Sequence, residues 1–436
     1  MQDFKTTRKE NLKVIMKKKQ NKEKKNISLL RWKNTVFVSA VSLILCCMIG
    51  CGRVMEEETF EPPVAVEVQE LESTQAIEVS EFPDETTEEL TEVIDPADSS
   101  ITLIMVGDVL MHTPVTESGL AEDGTYHFEH LFANVKDLIE DADIAMVNQE
   151  VILGGTALGL SGYPAFNAPF EVGDALADAG FDVVLHATNH ALDKGEKGIR
   201  NCLGFWQECY PEMKIVGIYG DWESYNNGVT FIEQDGIKIA ILNYTYGTNG
   251  IPLPKDAPYL VNLLDRAKIA SDVEKAKQEA DFVVICPHWG TEYRHDPDES
   301  QKEWAKYFAD LDVDLVIGAH PHVIEPVEWV DDTLVYYSLG NFVNATSGTG
   351  NGVADRMLGS MAVVHITKED DKVKISDYES IPLVSHLEHG YGNITVYPME
   401  EYTTELASKN WIVEQDGNFS LEYLQNLWSR VMERRR

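Results

Sequence analysis

The sequence lacks the signatures of several large enzyme classes, and its cysteines are few. It contains neither a glycine-rich nucleotide-binding loop nor a serine nucleophile within Gly-x-Ser-x-Gly. Three of the six cysteines fall in the first 51 residues, which leaves Cys202, Cys209 and Cys286. Cys202 and Cys209 lie two turns apart on a predicted helix, about 10 Å by helix rise, which is too far for a disulfide. The sequence therefore predicts buried thiols rather than a disulfide framework.

Positive charge is scarce beyond the N-terminus. Of 36 Lys and Arg residues, 13 lie in residues 1–53, whereas only 3 of the 73 Asp and Glu residues do. The rest of the chain therefore carries 23 basic against 70 acidic side chains. Because such a surface repels a phosphate backbone, we expect no nucleic-acid partner. Surface solubility explains this acidity, and the alternative, attraction of divalent cations, depends on the motifs described below.

The N-terminal apolar run is too short to cross a bilayer comfortably. Residues 36–49 follow a basic stretch and end in Met48-Ile49-Gly50-Cys51. A membrane span needs roughly 20 residues, so the pattern favours a signal peptide, and its end resembles a bacterial lipobox with a lipidated Cys. Residues 1–51 are therefore predicted to be a lipoprotein signal or, alternatively, an uncleaved membrane anchor. In both cases the remainder is expected at the extracellular face of the bacterial cytoplasmic membrane.

Residues 52–100 are predicted to form an acidic linker. Positions 54–100 hold 16 Asp or Glu residues, no Lys or Arg, and few aromatic residues. Because this composition buries too little apolar surface to offset the entropy of ordering, we predict a disordered stalk or plain spacer. Apolar runs resume at Ile101, so a folded domain is expected over 101–385, followed by a C-terminal extension over 386–436.

Polar motifs follow apolar, β-branched runs in the folded part. These runs are typical of buried strands: Ile101–Val106, Ile144–Val147, Phe181–Leu185, Phe282–Cys286 and Leu315–Ile317. The motifs that follow them are Gly107-Asp108, Asn148-Gln149-Glu150, Thr188-Asn189-His190, Pro287-His288 and Gly318-Ala319-His320-Pro321-His322. Since strand ends at one edge of an open α/β sheet meet in a ligand-binding crevice, the motif side chains are expected to lie together.

Helical spacing alternates with the early strands, and hairpins dominate later. The predicted helices include Gly195–Cys209, Leu264–Glu279, Ser300–Leu311 and Leu421–Met432, and Asp235-Gly236 predicts a hairpin turn. This order predicts a layered α/β sandwich whose sheets include antiparallel strands.

Each motif alone also has a purely structural interpretation. Asp108 is explained by a turn, Asn189-His190 by a loop pair, and His288 by a core histidine. His320 and His322 would point the same way in an extended segment, as metal binding requires. Five motifs at predicted strand ends favour one shared site of Asp, Glu, Asn and His side chains. Such a set suits one or two divalent ions, and manganese, iron and zinc all fit it.

The ordered motifs resemble the capsule synthesis CapA family. The resemblance covers about residues 101–385 and also includes Asp193, Gly195, the run His288 to Tyr293, and Ser338-Leu339-Gly340-Asn341-Phe342. That family is associated with bacterial poly-γ-glutamate synthesis and export, and is related to calcineurin-like metallophosphoesterases. The resemblance implies a four-layer α/β/β/α sandwich of the calcineurin-like metallophosphoesterase type, with the site at the strand ends.

The resemblance also implies roles for single residues. His190 matches a histidine that protonates a leaving group. Apart from the resemblance, Glu292 and Asn341 are candidates for substrate contact, and the structural alternatives are partial burial for Glu292 and a turn for Asn341. The nearest histidine to the first motif is His112, four residues after the aspartate rather than two. A Glu also stands where phosphoesterases place a bridging Asp. The implied metal ligands are Asp108, Glu150, Asn189, His288, His320 and His322.

The resulting hypothesis is a membrane-tethered CapA-like protein that acts in synthesis or export of an anionic polymer such as poly-γ-glutamate. Its expected partners are the membrane, through a lipid or anchor, and polymer-synthesis or export proteins. Two alternatives stay open: a surface metal-dependent phosphoesterase unrelated to capsule, and a non-catalytic binding module on the same fold.

Overall fold

A computed structural model describes residues 99–346, 348–370 and 372–432. The predicted signal or anchor, residues 1–51, lies outside these described residues, as does the predicted linker up to residue 98. Within the described residues, no helix is both long enough and apolar enough to cross a membrane.

Strands and helices alternate in the first half of the domain, and strands dominate the second. The strands are β1 (Ser99–Val109), β2 (Ile144–Asn148), β3 (Val183–Leu185), β4 (Lys214–Val216), β5 (Thr230–Gln234), β6 (Ile237–Thr245), β7 (Phe282–His288), β8 (Leu315–Ile317), β9 (Val327–Val330), β10 (Thr333–Tyr336), β11 (Asn341–Val343), β12 (Leu358–Glu369), β13 (Lys372–Glu388) and β14 (Gly392–Pro398). The helices are α1 (Thr113–Ser118), α2 (Lys136–Glu140), α3 (Glu171–Ala179), α4 (Gly195–Cys209), α5 (Trp222–Asn226), α6 (Arg266–Glu279), α7 (Glu299–Asp310), α8 (Thr404–Lys409), α9 (Ile412–Gln415) and α10 (Leu421–Met432).

Among the described residues, the first sheet has eight strands and combines a parallel and an antiparallel half. Its order is β14-β13-β12-β1-β2-β3-β4, and β11 also pairs with β1. The strands β1 to β4 run parallel, because helical crossovers connect them. The strands β12, β13 and β14 are antiparallel neighbours. The parallel half therefore brings the ends of β1, β2 and β3 to one edge.

In the part of the chain that the structure describes, the second sheet has six strands in the order β5-β6-β7-β8-β10-β9. The strands β6, β7, β8 and β10 run parallel, so they also end at one edge. The antiparallel pair β5–β6 turns at Asp235 and Gly236, which both have positive φ, 51° and 75°. Asp-Gly accepts this backbone at little cost, and the predicted hairpin is confirmed.

Three buried apolar clusters separate the layers. One lies between the sheets and contains Leu103 and Met105 of β1 together with Ile241 of β6. A second joins Ile104 and Val106 of β1 to the buried faces of α3 and α4. A third lies between the second sheet and helices α6 and α7. Alternate residues of β1 thus enter different clusters, as a period of two requires. The predicted four-layer α/β/β/α sandwich is confirmed.

The C-terminal residues continue the first sheet. Residue 385 lies inside β13, and β14 pairs with that strand. Helix α10 has the predicted bounds and places Leu424 and Leu427 in the cluster behind this sheet. The first part of the predicted C-terminal extension, residues 386–388 and 392–398, therefore lies in strands of this sheet.

The cysteines follow the prediction in two cases of three. Cys202 and Cys286 are buried, but Cys209 is exposed. The buried stripe of α4 ends at Trp206, and Cys209 is the last residue of the helix, beyond the part that packs. The prediction of a buried thiol is therefore wrong for Cys209.

Candidate metal centre

The motif side chains converge where the parallel strands of both sheets end. Asp108 lies near the end of β1, and His288 is the last residue of β7. A Cβ at Gly107 would lie 1.9 Å from the carbonyl oxygen of Gly340, so only glycine allows this approach. The Asp108 N–H donates to the same carbonyl at 3.0 Å. The Gly-Asp pair therefore fixes the carboxylate against the backbone of Gly340.

The first candidate ligand group consists of Asp108, Glu150 and His322. Their ligand atoms all lie within 4.8 Å of one another, and all three residues are buried. His322 Nδ1 is 3.2 Å from Asp108 Oδ2 and 3.7 Å from Glu150 Oε2. Asn341 pairs in register with Asp108, and its Oδ1 lies 3.1 Å from His322 Nδ1. The expected substrate-contact residue Asn341 is thus placed directly against the group.

The second candidate group consists of Glu150, His288 and His320. His288 Nε2 lies 3.8 Å from Glu150 Oε1 and 2.9 Å from Asn189 Oδ1. The rings of His288 and His320 have centroids 4.9 Å apart. All the predicted metal ligands therefore lie together, and Glu150 belongs to both groups.

Glu150 and His320 provide the test of whether a metal fits. Both carboxylate oxygens of Glu150 and the Nδ1 of His320 are buried without a hydrogen-bond partner among the described residues. Such unpaired buried groups are costly, whereas a bound cation would satisfy them. Carboxylates, imidazoles and an amide oxygen suit divalent transition metals. The residues present therefore fit a divalent metal, and sharing of Glu150 is compatible with two ions.

The electrostatics of the metal-free centre favour metal-binding protonation states for two histidines. Burial lowers the pKa of His288 and of His320 well below the usual range, and the neighbouring histidines lower both further. A neutral imidazole is the form that ligates a metal. Burial raises the pKa of Glu150 well above its usual value, partly opposed by the charge of His322. Burial also lowers the pKa of His322, but the charge of Glu150 and the contact with Asp108 outweigh it and raise the value to about 9.

The backbone of the His-Pro-His segment differs from the expectation of an extended strand. His320 has φ 101° and His322 has φ 59°, so both are left-handed rather than extended. Their rings are tilted by 54°, with centroids 5.7 Å apart. The two imidazoles meet because a strained turn after β8 folds them inward, and the alternation of a strand does not explain their proximity. Strain of this kind is found at functional sites, where the surrounding structure maintains it.

His190 lies beside the ligand groups and is held by its own partners. Its Nδ1 is 2.6 Å from Asp193 Oδ2, which also accepts the Phe166 N–H at 2.7 Å. The Phe166 ring meets the imidazole edge-on, with centroids 4.7 Å apart. His190 Nε2 lies 4.0 Å from Glu150 Oε1. Asp193 therefore orients the ring so that Nε2 is available on the side of the centre.

Two asparagines near the centre were missed as site residues by the sequence reasoning. Asn148 Nδ2 donates to Asp108 Oδ1 at 2.7 Å, which orients that carboxylate. Asn249 has φ 50° and its Oδ1 accepts from Asn189 Nδ2 at 3.2 Å. Asn148 stood inside a recognised motif, so its position was a usable signal. Asn249 precedes a glycine, and an Asn-Gly pair is typical of a turn rather than of a binding site.

His112 and Glu292 lie at the margin of the centre. Burial, with the charges of His322, His190 and Arg356, lowers the pKa of His112 to about 4. The His112 ring packs edge-on against Phe166, and His112 belongs to none of the candidate ligand groups found among residues 99–346, 348–370 and 372–432. Glu292 is exposed but forms a third candidate group with His320 and His322. It is therefore placed for contact with a ligand that enters from solvent.

Comparison with known proteins identifies relatives of the sequence. The model of the family described as bacterial capsule synthesis protein PGA_cap matches residues 102–346. The PGA biosynthesis protein CapA of Bacillus subtilis is 34% identical over 169 residues, which cover 38% of this chain and 44% of that protein. The capsule biosynthesis protein CapA of Bacillus anthracis is 28% identical over 260 residues, which cover 56% of this chain and 60% of that protein. The chain thus spans about half the length of these relatives.

Solved structures resemble the fold more weakly. The 5′-nucleotidase precursor of Thermus thermophilus is 13% identical, with a TM-score of 0.39 over 66% of this chain and 54% of that chain. The calcineurin-like phosphoesterase YfkN of Bacillus subtilis is 10% identical, with a TM-score of 0.37 over 76% of this chain and 97% of that chain. Likenesses of this size concern the fold alone and carry no functional information.

Proposed function

This chain belongs to the bacterial capsule synthesis protein PGA_cap family, and we propose that it is a membrane-tethered, extracellular member acting in synthesis or export of an anionic capsular polymer such as poly-γ-glutamate. The observation that carries the proposal is the family match over residues 102–346, which contains every predicted metal ligand. The names of the two Bacillus relatives, which refer to PGA and capsule biosynthesis, support it. The tethering rests on the N-terminal sequence up to Cys51.

The proposed centre holds one or two divalent ions. Asp108, Glu150 and His322 would hold one, and Glu150 with His288 and His320 the other. Asn189 would contribute its amide oxygen to the second position. When bound, such ions supply stabilisation of negative charge on reacting oxygen atoms and lower the pKa of water. The orphaned oxygens of Glu150 support this assignment.

His190 is proposed to act as the general acid. An ionised Asp193 can only accept a hydrogen bond, so the short contact assigns the Nδ1 proton of His190 to that bond. Protonated His190 can then release the proton on Nε2 to a leaving group at the centre. Asn249 Nδ2 lies 3.4 Å from the ring and limits its rotation.

Deletion and complementation test the role in capsule formation. In a capsule-forming host, deletion of the gene should abolish the surface polymer, and the wild-type gene should restore it. Asp108→Ala and His320→Ala should fail to restore it, because each removes a ligand of the centre. His127→Ala is the matched control, because His127 is exposed. Unchanged surface polymer in the deletion strain would refute the proposed role.

A surface metal-dependent phosphoesterase unrelated to capsule is the second candidate function. The observation that favours it is the shared Glu150 between two ligand groups, with the His190–Asp193 pair beside them. Purified full-length protein would be assayed on bis(p-nitrophenyl) phosphate with manganese. Turnover that disappears with Asp108→Ala, together with an intact capsule after deletion, would favour this alternative. Full complementation by the ligand variants would instead indicate a non-catalytic binding module.

A further inference from the structure

Arg356 lies beside the metal centre. Its Cζ stands 3.9 Å from the centroid of the Tyr293 ring, and that ring lies 5.9 Å from the ring of His322. Its charge also acts on His112, which is within reach of His322 and His190. The guanidinium therefore stands at the rim of the centre, stacked on an aromatic side chain.

The hydrogen-bonding capacity of Arg356 is largely unused. One Nη donates to Thr346 Oγ1 at 3.0 Å, and the buried Nε has no acceptor among the residues that the structure describes. Among the described residues, Arg356 takes part in no ion pair with a carboxylate. Carboxylates that could pair with Arg356 are abundant, since acidic side chains outnumber basic ones 70 to 23 beyond residue 53. A half-buried guanidinium loses part of its hydration, and among the described residues the stack on Tyr293 and the bond to Thr346 replace only part of that loss.

The surroundings keep the nearest carboxylate in sequence away from this guanidinium. Asp355 accepts a hydrogen bond from Tyr423 of α10, and its Oδ2 lies 3.0 Å from His295 Nε2. The Arg356 carbonyl accepts from Asn341 Nδ2 at 3.0 Å, so the backbone is tied to a residue of the centre. The position of Arg356 is thus fixed while its charge stays available.

We propose that Arg356, stacked on Tyr293, binds an oxyanion of the ligand, a carboxylate or a phosphate, next to the metal centre. The inference rests on the proposed function in taking the ligand to be anionic, and it adds the residue that recognises the anion. A guanidinium presents parallel N–H donors that match the two oxygens of a carboxylate or phosphate, which an ammonium does not. Stacking on Tyr293 orients the plane of the guanidinium and leaves its N–H groups available for hydrogen bonds to a ligand.

Binding to purified full-length protein in detergent tests the proposal. Titration calorimetry would use two probes, inorganic phosphate and a γ-linked glutamate hexamer, each with EDTA-treated and with manganese-loaded protein. Arg356→Gln should weaken binding about tenfold or more, the effect of losing hydrogen bonds to a charged group. Arg356→Lys should bind more tightly than Arg356→Gln and more weakly than wild type, because lysine keeps the positive charge but lacks the parallel N–H donors of the guanidinium. Arg200→Gln is the matched control, since Arg200 is exposed and paired with Glu196.

The outcomes separate this proposal from the proposed function. Loss of affinity for the hexamer alone identifies a carboxylate ligand, and loss for phosphate alone identifies a phosphate. Wild-type affinity in Arg356→Gln overturns the proposal, as does an equal loss in Arg200→Gln or failure of wild-type protein to bind either probe. Lower thermal stability with unchanged affinity also overturns it, because Arg356 is then only a packing residue. A failed capsule complementation test leaves these binding results unaffected.

Discussion

Replacement of Glu150 by glutamine should change the stability of the protein in opposite directions with and without metal. Glu150 is fully buried, and both its oxygens lack hydrogen-bond partners in the described part of the chain. Burial raises its pKa well above the usual value, partly opposed by the charge of His322, so we expect the charged form of Glu150 to be unfavourable in the metal-free protein. Glutamine has nearly the same volume and removes that charge. Glu150→Gln should therefore be more stable than wild type in EDTA.

The magnitude follows from the charge, because a glutamine amide at this position is as buried and, among the described residues, as unpaired as the carboxyl that it replaces. A buried charge costs more than a neutral polar group, for which the cost is about 1–3 kcal/mol, so removal of the charge should recover an amount of this order. For a domain of this size, with about 2.1 cal/mol/K of unfolding entropy per residue, that corresponds to a rise in Tm of about 1–4 °C. A metal at 100 times its Kd stabilises the wild type by about 2.7 kcal/mol, and most of this gain should be lost without the shared carboxylate. With saturating manganese, Glu150→Gln should therefore be the less stable protein.

Thermal unfolding followed by circular dichroism measures the Tm of wild type and of Glu150→Gln, first with EDTA and then with manganese. The difference in Tm between the two proteins should change sign between these conditions. Glu303→Gln on the exposed face of α7 removes one charge and should change neither Tm. A lower Tm for Glu150→Gln in EDTA would refute the argument that the carboxylate is strained by burial. An unchanged response to manganese would refute its assignment as a shared metal ligand.

Three further predictions concern other positions. Burial raises the pKa of Glu325 to about 8 from 4.5. A raised pKa contributes stability that is fully present below pH 4.5 and is lost as the pH rises through 8. Glu325→Gln should therefore increase the free energy of unfolding at pH 9, by on the order of a few kcal/mol, but not at pH 4, and an equal effect at both pH values would contradict this. Asp193→Asn should reduce any hydrolytic kcat about as strongly as His190→Gln, with little change in bound manganese by atomic absorption; parallel loss of metal would count against an orienting role. Cys51→Ala should abolish labelling by radioactive palmitate and release the protein from the membrane fraction, whereas retention without label would favour the uncleaved anchor.

Hydrophobic periodicity was sufficient to predict the bounds of some single strands and helices. The apolar run Leu315–Ile317 and the amphipathic helix Leu421–Met432 have in the structure the bounds that periodicity predicted. Helix α7 begins at Glu299 rather than Ser300, because Asp298 caps it by accepting from the Gln301 N–H. Such differences arise from capping hydrogen bonds, which hydrophobic periodicity does not report.

Local sequence patterns do not predict contacts between residues that are far apart in the sequence. Arg356 was not identified from the sequence, since its place depends on Tyr293 and on Asn341, which holds its carbonyl. The left-handed backbone at His320 and His322 was missed for a similar reason. Intrinsic preference disfavours positive φ for both residues, and only the packing around them maintains it.

The sequence by itself determined the acidic character, the strand ends that carry the site and the family to which the chain belongs. It did so because strand periodicity and motif order are local properties that survive without knowledge of the fold. The tertiary structure decided that Glu150 belongs to two candidate ligand groups and that Arg356 lies at their rim, stacked on Tyr293. Asp108 and His322 are 214 positions apart, yet their side chains lie 3.2 Å from each other. The packing of two sheets whose parallel strands end at one edge sets that distance. It cannot be deduced from any single segment of the sequence, because it depends on contacts between segments that are far apart in the chain.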